Sequence, residues 1–226
     1  MTTNRREFIE RLGATAMLGA LPVGALHPMM SSGETQPIQS QGWDFNWVNA
    51  LKGKKHKAVF DNTEVENGYG VWRSSVWELQ YHEAMNVKPA DTRTIMVLRH
   101  NAIVLAFNQD LWDQLAIGAS EKVSHPVTLQ STDRNPALLS AARNEVPPPF
   151  DAFALPNFMK RGGVVLACNL ALQFFAGAWS KKAGITQEEA MKRATAAFIP
   201  GVILQPSGVM ACVRAQEEGC VYVRAS

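Results

Sequence analysis

The chain has 226 residues, 46% of them hydrophobic and 19% charged. That length and balance exclude a disordered polymer and leave room for one domain with a full core plus a leader. A net charge of +2 is too small to argue for a nucleic acid or an anionic membrane as partner.

In chain order, the first signal is an export address. Arg5-Arg6 is followed by Phe8 and then by Leu12 to Leu26, an uncharged, mildly apolar stretch rich in Gly and Ala. A basic start ahead of a modest apolar run reads as a signal peptide, and the arginine pair marks the twin-arginine route. The reading assigns residues 1–27 to the leader, 28–55 to a linker and 56–226 to the folded domain. Export places the protein in the periplasm, with anchoring by an uncleaved leader as the alternative. Within the linker, Trp43-Asp44-Phe45-Asn46-Trp47 is an aromatic patch suited to tethering it to the body or to a neighbouring subunit. The basic run Lys52 to Lys57 reads as a solvated approach to the first strand.

From there strands and helices alternate, which predicts a parallel sheet covered by helices. Lys57–Asp61 reads as a first strand and Asn62–Gly70 as a loop. A helix over Trp72–Met85 follows, with Val76, Leu79 and Ala84 available for its buried side. Thr94–Leu98 is a continuous apolar run ending on Arg99-His100-Asn101, as a buried strand does. Gln109–Leu115 looks helical, closed by Gly118. Residues 119–149 are irregular, with a short helix over Ala137–Arg143, and a segment that long is either a lid or an oligomer contact. A further short helix over Phe153–Arg161 leads through Gly162-Gly163 into the strand Val164–Ala167. A helix then runs to Trp179, and Thr186-Gln187-Glu188-Glu189 opens another with a capping box. Val202–Leu204, a helix over Ser207–Glu218 closed by Gly219, and Cys220–Val223 complete five strands. The expected fold is α/β, a three-layer α/β/α sandwich on a mostly parallel five-stranded sheet.

The residue that carries chemistry in this reading is Cys168, at the carboxyl end of a strand and the first turn of a helix. Ligands bind outside the carboxyl ends of parallel strands, and helix N-termini favour thiolates. A bland alternative is a buried cysteine filling a gap. His100 stands on the same rim, and because Arg99 alternates with it, at most one of the two faces the pocket squarely. Arg99 is a pocket-lining candidate, as are Asn62, Asn169, Gln205 and Ser207, which occupy the corresponding strand-to-helix corners and also serve as caps and turns. Cys212 and Cys220 read as small core residues, with a disulfide between them as the alternative. His125 reads as a surface histidine. No paired spacing of the zinc type occurs, and Asp61–Gly70 lacks the G-x-G-x-x-G phosphate loop, so neither metal nor nucleotide cofactor is expected.

Three stretches in this order resemble the DsrE/DsrF-like superfamily of sulfur-relay proteins, in its exported twin-arginine branch. They are Val97-Leu98-Arg99-His100-Asn101-Ala102, Arg161-Gly162-Gly163-Val164-Val165-Leu166-Ala167-Cys168, and Gln205-Pro206-Ser207-Gly208-Val209 leading to Arg214-Ala215-Gln216-Glu217-Glu218-Gly219. The resemblance covers roughly residues 57–224 and implies a homo-oligomeric sandwich in which Cys168 carries sulfur as a persulfide. It places His100 beside the same pocket, while Asn101 stands where relatives often have Gly. The implied partners are a sulfur donor, an acceptor thiol and the twin-arginine export machinery. A non-catalytic oligomeric binding or scaffold protein, using the pocket for a small anion or a partner peptide, is the alternative. Thiol redox sensing, with Cys212 or Cys220 approaching Cys168 in space, is a third.

Overall fold

A computed structural model describes residues 42–226. The leader expected over 1–27, and the linker as far as residue 41, lie outside the described residues. Five strands, β1 (His56–Asn62), β2 (Thr92–Leu98), β3 (Val164–Cys168), β4 (Ile203–Gln205) and β5 (Val221–Arg224), form one sheet. Their order is β4-β3-β2-β1-β5, and every pair is parallel. The α-helices are α1 (Tyr69–Ala84), α2 (Gln109–Leu115), α3 (Ile117–Ser120), α4 (Leu155–Lys160), α5 (Asn169–Ala183), α6 (Gln187–Ala196) and α7 (Gly208–Glu217). The protein is an α/β sandwich. Among the described residues no helix is long and apolar enough to cross a membrane.

The layers follow from crossover handedness. β1 to β4 step in one direction across the sheet, so right-handed connections put α1 to α6 on one face. The connection from β4 to β5 runs back across β3, β2 and β1, so α7 lies on the other. The core divides accordingly. Met96, Leu98, Val165 and Ala167 pack with Leu172 and Ala176 of α5. Val59, Ile95, Val97 and Leu166 pack with Ala211, Cys212 and Ala215 of α7. Alternate residues of each strand serve opposite layers, and β2 is fully enclosed from Ile95 to Leu98.

The α7 layer has a second member. Residues Asn46–Leu51 form a 3-10 helix whose Trp47 and Leu51 are buried against the sheet. The stretch read as linker thus enters the core from residue 46, and its aromatic patch is part of the body. Trp47 Nε1 donates to Gln205 Oε1 at 3.0 Å, and Gln205 Nε2 donates to the Asp44 carbonyl at 2.8 Å.

Three helices differ from what the sequence predicts. α1 buries Gly70, Val71, Trp72, Ser74, Ser75 and Glu78, while Val76 and Leu79 are half-buried and Ala84 is exposed. Half of that face is Gly or Ser, and at Gly70 the helix comes so close to β1 that a Cβ would collide with the Asn62 side chain. α2 is closed by Ala116 in a left-handed conformation, and Gly118 sits inside α3. The short helix expected over Ala137–Arg143 is instead a pair of 3-10 turns, Pro136–Leu138 and Ala141–Arg143. The irregular segment around them is packed down. Asn135 is buried, its Nδ2 donating to the Leu105 and Phe107 carbonyls and its Oδ1 accepting from Ala137 N. Trp72 meets Phe150 and Phe153 at centroid distances of 5.2 and 5.1 Å.

Candidate functional site

β3 ends on Cys168, which is also the N-cap of α5. Its Sγ accepts the Ala171 backbone N–H at 3.4 Å, so the thiol sulfur occupies the place where Ser or Asp oxygens usually cap a helix. α5 is 15 residues long, and no acidic side chain in its first turn competes for its N–H groups. Cys168 pairs in register with Gln205 of β4. The chain leaves β3 toward the α5 layer and leaves β4 toward the α7 layer, which makes this a topological switch point, where open parallel sheets bind ligands. Gln205 is sealed there by Trp47 and Asp44. Cys168 itself is 5% exposed.

The open space lies on the α5 side. A cleft of about 390 Å³ is lined by His100, Asn101, Ile103 and Val104 from the 3-10 turn after β2, by Ala171, Phe174 and Phe175 of α5, and by Glu121. Ala171 connects cleft and thiol, since its side chain lines the first and its N–H holds the second. His100 is left-handed, with φ 53°, a conformation uncommon outside glycine. It is fixed by its neighbours: Arg99 N donates to the Asn62 carbonyl and Ala102 N to that of Thr63. The His100 Nδ1 lies 3.3 Å from Glu64 Oε1, and Asn101 Nδ2 donates to Glu64 Oε2 at 2.7 Å.

Arg99, expected to line the pocket, does not line the cleft, because its guanidinium is held by Asp61. Its Nε and Nη2 hold both oxygens of Asp61 at 2.7 and 2.8 Å, and the Tyr222 hydroxyl donates to Asp61 Oδ2 at 2.7 Å. Burial pushes the Asp61 carboxyl up, but the Arg99 and Tyr222 hydrogen bonds and the charges of Arg99 and Arg224 outweigh it and hold the group below its ordinary range. Cys212 packs beside this network. Burial and the Asp61 charge push its thiol up to about 12, against the opposing charge of Arg99, and a charge on Cys168 is felt there too. Burial pushes Cys220 up to about 11. All three cysteines are free, so the disulfide weighed between Cys212 and Cys220 does not form.

The other corner residues do not line the cleft. Asn62 donates Nδ2 to the Phe60 and Val97 carbonyls at 3.2 and 3.3 Å. Ser207 caps α7, its Oγ accepting from Met210 N at 3.1 Å. Asn169 is the first residue of α5 and is half-buried outside the cleft. His125 Nδ1 accepts from the Val127 and Thr128 N–H groups within its own turn, and His125 does not line the cleft. Among the described residues no three His, Cys, Asp or Glu side chains are grouped to hold a metal ion. The sequence reading missed Glu121, Phe174 and Phe175. An i, i+3, i+4 spacing from Ala171 along α5 is the signal that joins the two aromatics to the wall beside Cys168.

Fold and site define a parallel α/β sandwich with a cysteine-capped helix beside an open cleft. No protein-family model matches the chain, and no curated protein matches it in sequence.

Proposed function

We propose that this is an exported, periplasmic sulfur-handling protein that carries sulfane sulfur on Cys168. The observation that carries the reading is the Ala171 N–H bond to Cys168 Sγ at the start of α5. Helix N-terminal N–H groups stabilise an anionic sulfur, while the other two thiols are pushed out of the nucleophilic range. The likeness of the Arg161–Cys168 run to DsrE-like sulfur-relay proteins supports the same choice and extends it to a homo-oligomer. In the first step the Cys168 thiolate attacks the outer sulfur of a persulfide donor, forming a Cys168 S–S bond and releasing the donor as a thiolate. An acceptor thiolate then takes the outer sulfur and returns Cys168 to its thiolate. Electrons balance without an oxidant.

The 5% exposure of Cys168 and its absence from the cleft lining favour a second reading, a binding module that does no sulfur chemistry. Intact mass after brief exposure to polysulfide, beside a Cys168→Ser variant, separates the two. A gain of sulfur in the wild type alone supports the carrier. Serine is itself a favoured N-cap, so the variant should fold with stability within about 1 kcal/mol of the wild type. No gain, with Cys168 reduced and open to a small alkylating agent, leaves the binding module.

A further inference from the structure

The cleft beside α5 presents charge of one sign. Glu121 lines it, and Glu64, which is not itself part of the lining, is held behind two lining residues by His100 Nδ1 and Asn101 Nδ2. The two carboxylates feel one another: partial burial first, then the Glu64 charge, keep the Glu121 carboxyl above its usual range. Among the described residues no Lys or Arg lines the cleft. The nearest cations in sequence are turned elsewhere. Arg99 is bound to Asp61, Arg73 to Glu66 at 2.6 Å, and Lys122 borders a separate hollow with Gly118 and Asp133. His100 adds positive charge only when protonated.

The remaining surface is apolar and aromatic. Ile103, Val104 and Phe175 form the wall, and Phe175 is fixed by Phe107 at a centroid distance of 4.9 Å. Phe174 stands at the mouth, 81% exposed, a large apolar side chain that nothing in the described fold covers. An aromatic face next to carboxylates attracts a positive group twice over, through the ring quadrupole and through charge, while the apolar wall takes the rest of the molecule.

We propose that this cleft binds a small organic cation, an amine or quaternary ammonium on an apolar body. A small anion meets the Glu121 carboxylate, backed by the Glu64 charge behind the lining, and is repelled. Among the described residues a metal ion finds no grouping of three ligands, and the apolar wall offers a hydrated ion nothing. The volume, about 390 Å³, is at the small end of the range of ligand sites, which matches a single compact molecule. This inference stands on the cleft and is independent of sulfur chemistry at Cys168.

The test is calorimetric titration of the full-length protein with three probes sharing one phenyl body: phenethylammonium, phenethyl alcohol and hydrocinnamate. The cation should bind about tenfold more tightly than the alcohol, and hydrocinnamate more weakly than either. Glu121→Gln should bring the cation close to the alcohol. Phe174→Ala should weaken all three, and at so exposed a position the fold is not at stake. Cys168→Ser should leave the order of the probes unchanged, so failure of sulfur loading and failure of cation binding are read separately. Equal affinities, preference for hydrocinnamate, no heat with the cation, or an unaltered cation preference in Glu121→Gln would each overturn the assignment.

Discussion

Burial raises the pKa of a carboxyl and a facing cation lowers it. Asp61 and Glu78 show the two outcomes in one fold. Asp61 is gripped by both Arg99 nitrogens and by Tyr222, and it sits below its ordinary value. Glu78 is as deeply buried, but its closest cationic atom is Arg161 Nε at 3.9 Å, and no hydrogen bond reaches its Oε2. Burial therefore prevails over the charges of Arg161 and Arg93, and the Glu78 carboxyl is raised above its ordinary range. A carboxyl raised in the fold holds its proton more firmly than in the unfolded chain. Its contribution to stability is full below the unfolded value and is lost as pH rises through the folded one. Glu78→Gln removes that loss. Urea unfolding of variant and wild type below and well above the carboxylate range should show the difference moving in favour of the variant as pH rises. A difference that stays constant, or moves the other way, would mean that Arg161 compensates the charge in full. Residues of this kind were the least legible in the sequence. Cys168 and His100 announce themselves by ending apolar runs, whereas the partners of Asp61 lie 38 and 161 positions away. Arg99 and His100 part because β2 ends at Leu98 and His100 turns left-handed at the start of the 3-10 segment, a bend that no apolar pattern announces.

Elements were legible where periodicity and caps coincide. Thr186 caps α6 through Glu189 N, Gly219 closes α7 with φ 84°, and the five apolar runs became the five strands. Periodicity failed on α1, whose buried side adds Gly70, Ser74, Ser75 and Glu78 to Val71 and Trp72 and leaves Val76 and Leu79 half-buried. It also failed on the segment before β1, where an aromatic patch in polar surroundings looks like a tether. There Trp47 is 3% exposed and supplies the partner of the buried Gln205 side chain. Together with α7 it is what covers Val59, Ile95, Val97 and Leu166 on that face. Trp47→Ala should cost about 3–5 kcal/mol, through lost burial, the cavity left behind and the stranded Gln205 amide. The same variant should bind a hydrophobic dye that the wild type does not, because its second layer is breached. A loss below about 1 kcal/mol in urea unfolding would show that residues 46–51 only decorate a fold complete without them.

At the scale of the molecule, the strand order was the part no local pattern could supply. Five apolar runs separated by helices fit several parallel orders, and the choice is made by which edge the last strand joins. Here β5 returns to pair with β1, and that single long crossover puts α7 on the bare face and creates the switch point between β3 and β4. It also leaves two short edges. β4 has three residues and β5 four, and Val221, Tyr222 and Arg224 of β5 are exposed. β2 is instead paired on both sides and sealed on both faces, so its amides open only when the domain unfolds. Hydrogen exchange should therefore be slowest at Ile95–Leu98, faster at β4 and β5 by about two powers of ten or more, with β1 and β3 between. The gradient matters for the site, because Cys168 ends a strand with the best-protected neighbour on one side and a three-residue edge on the other. Opening β4 would uncover the thiol from the Gln205 side without disturbing α5 or the cleft. Exchange at Gln205 faster than at Leu98 would give a reagent a route to a cysteine that is buried on average. Uniform protection across the sheet would close that route, and would mean that the β5 edge is paired with something outside this chain.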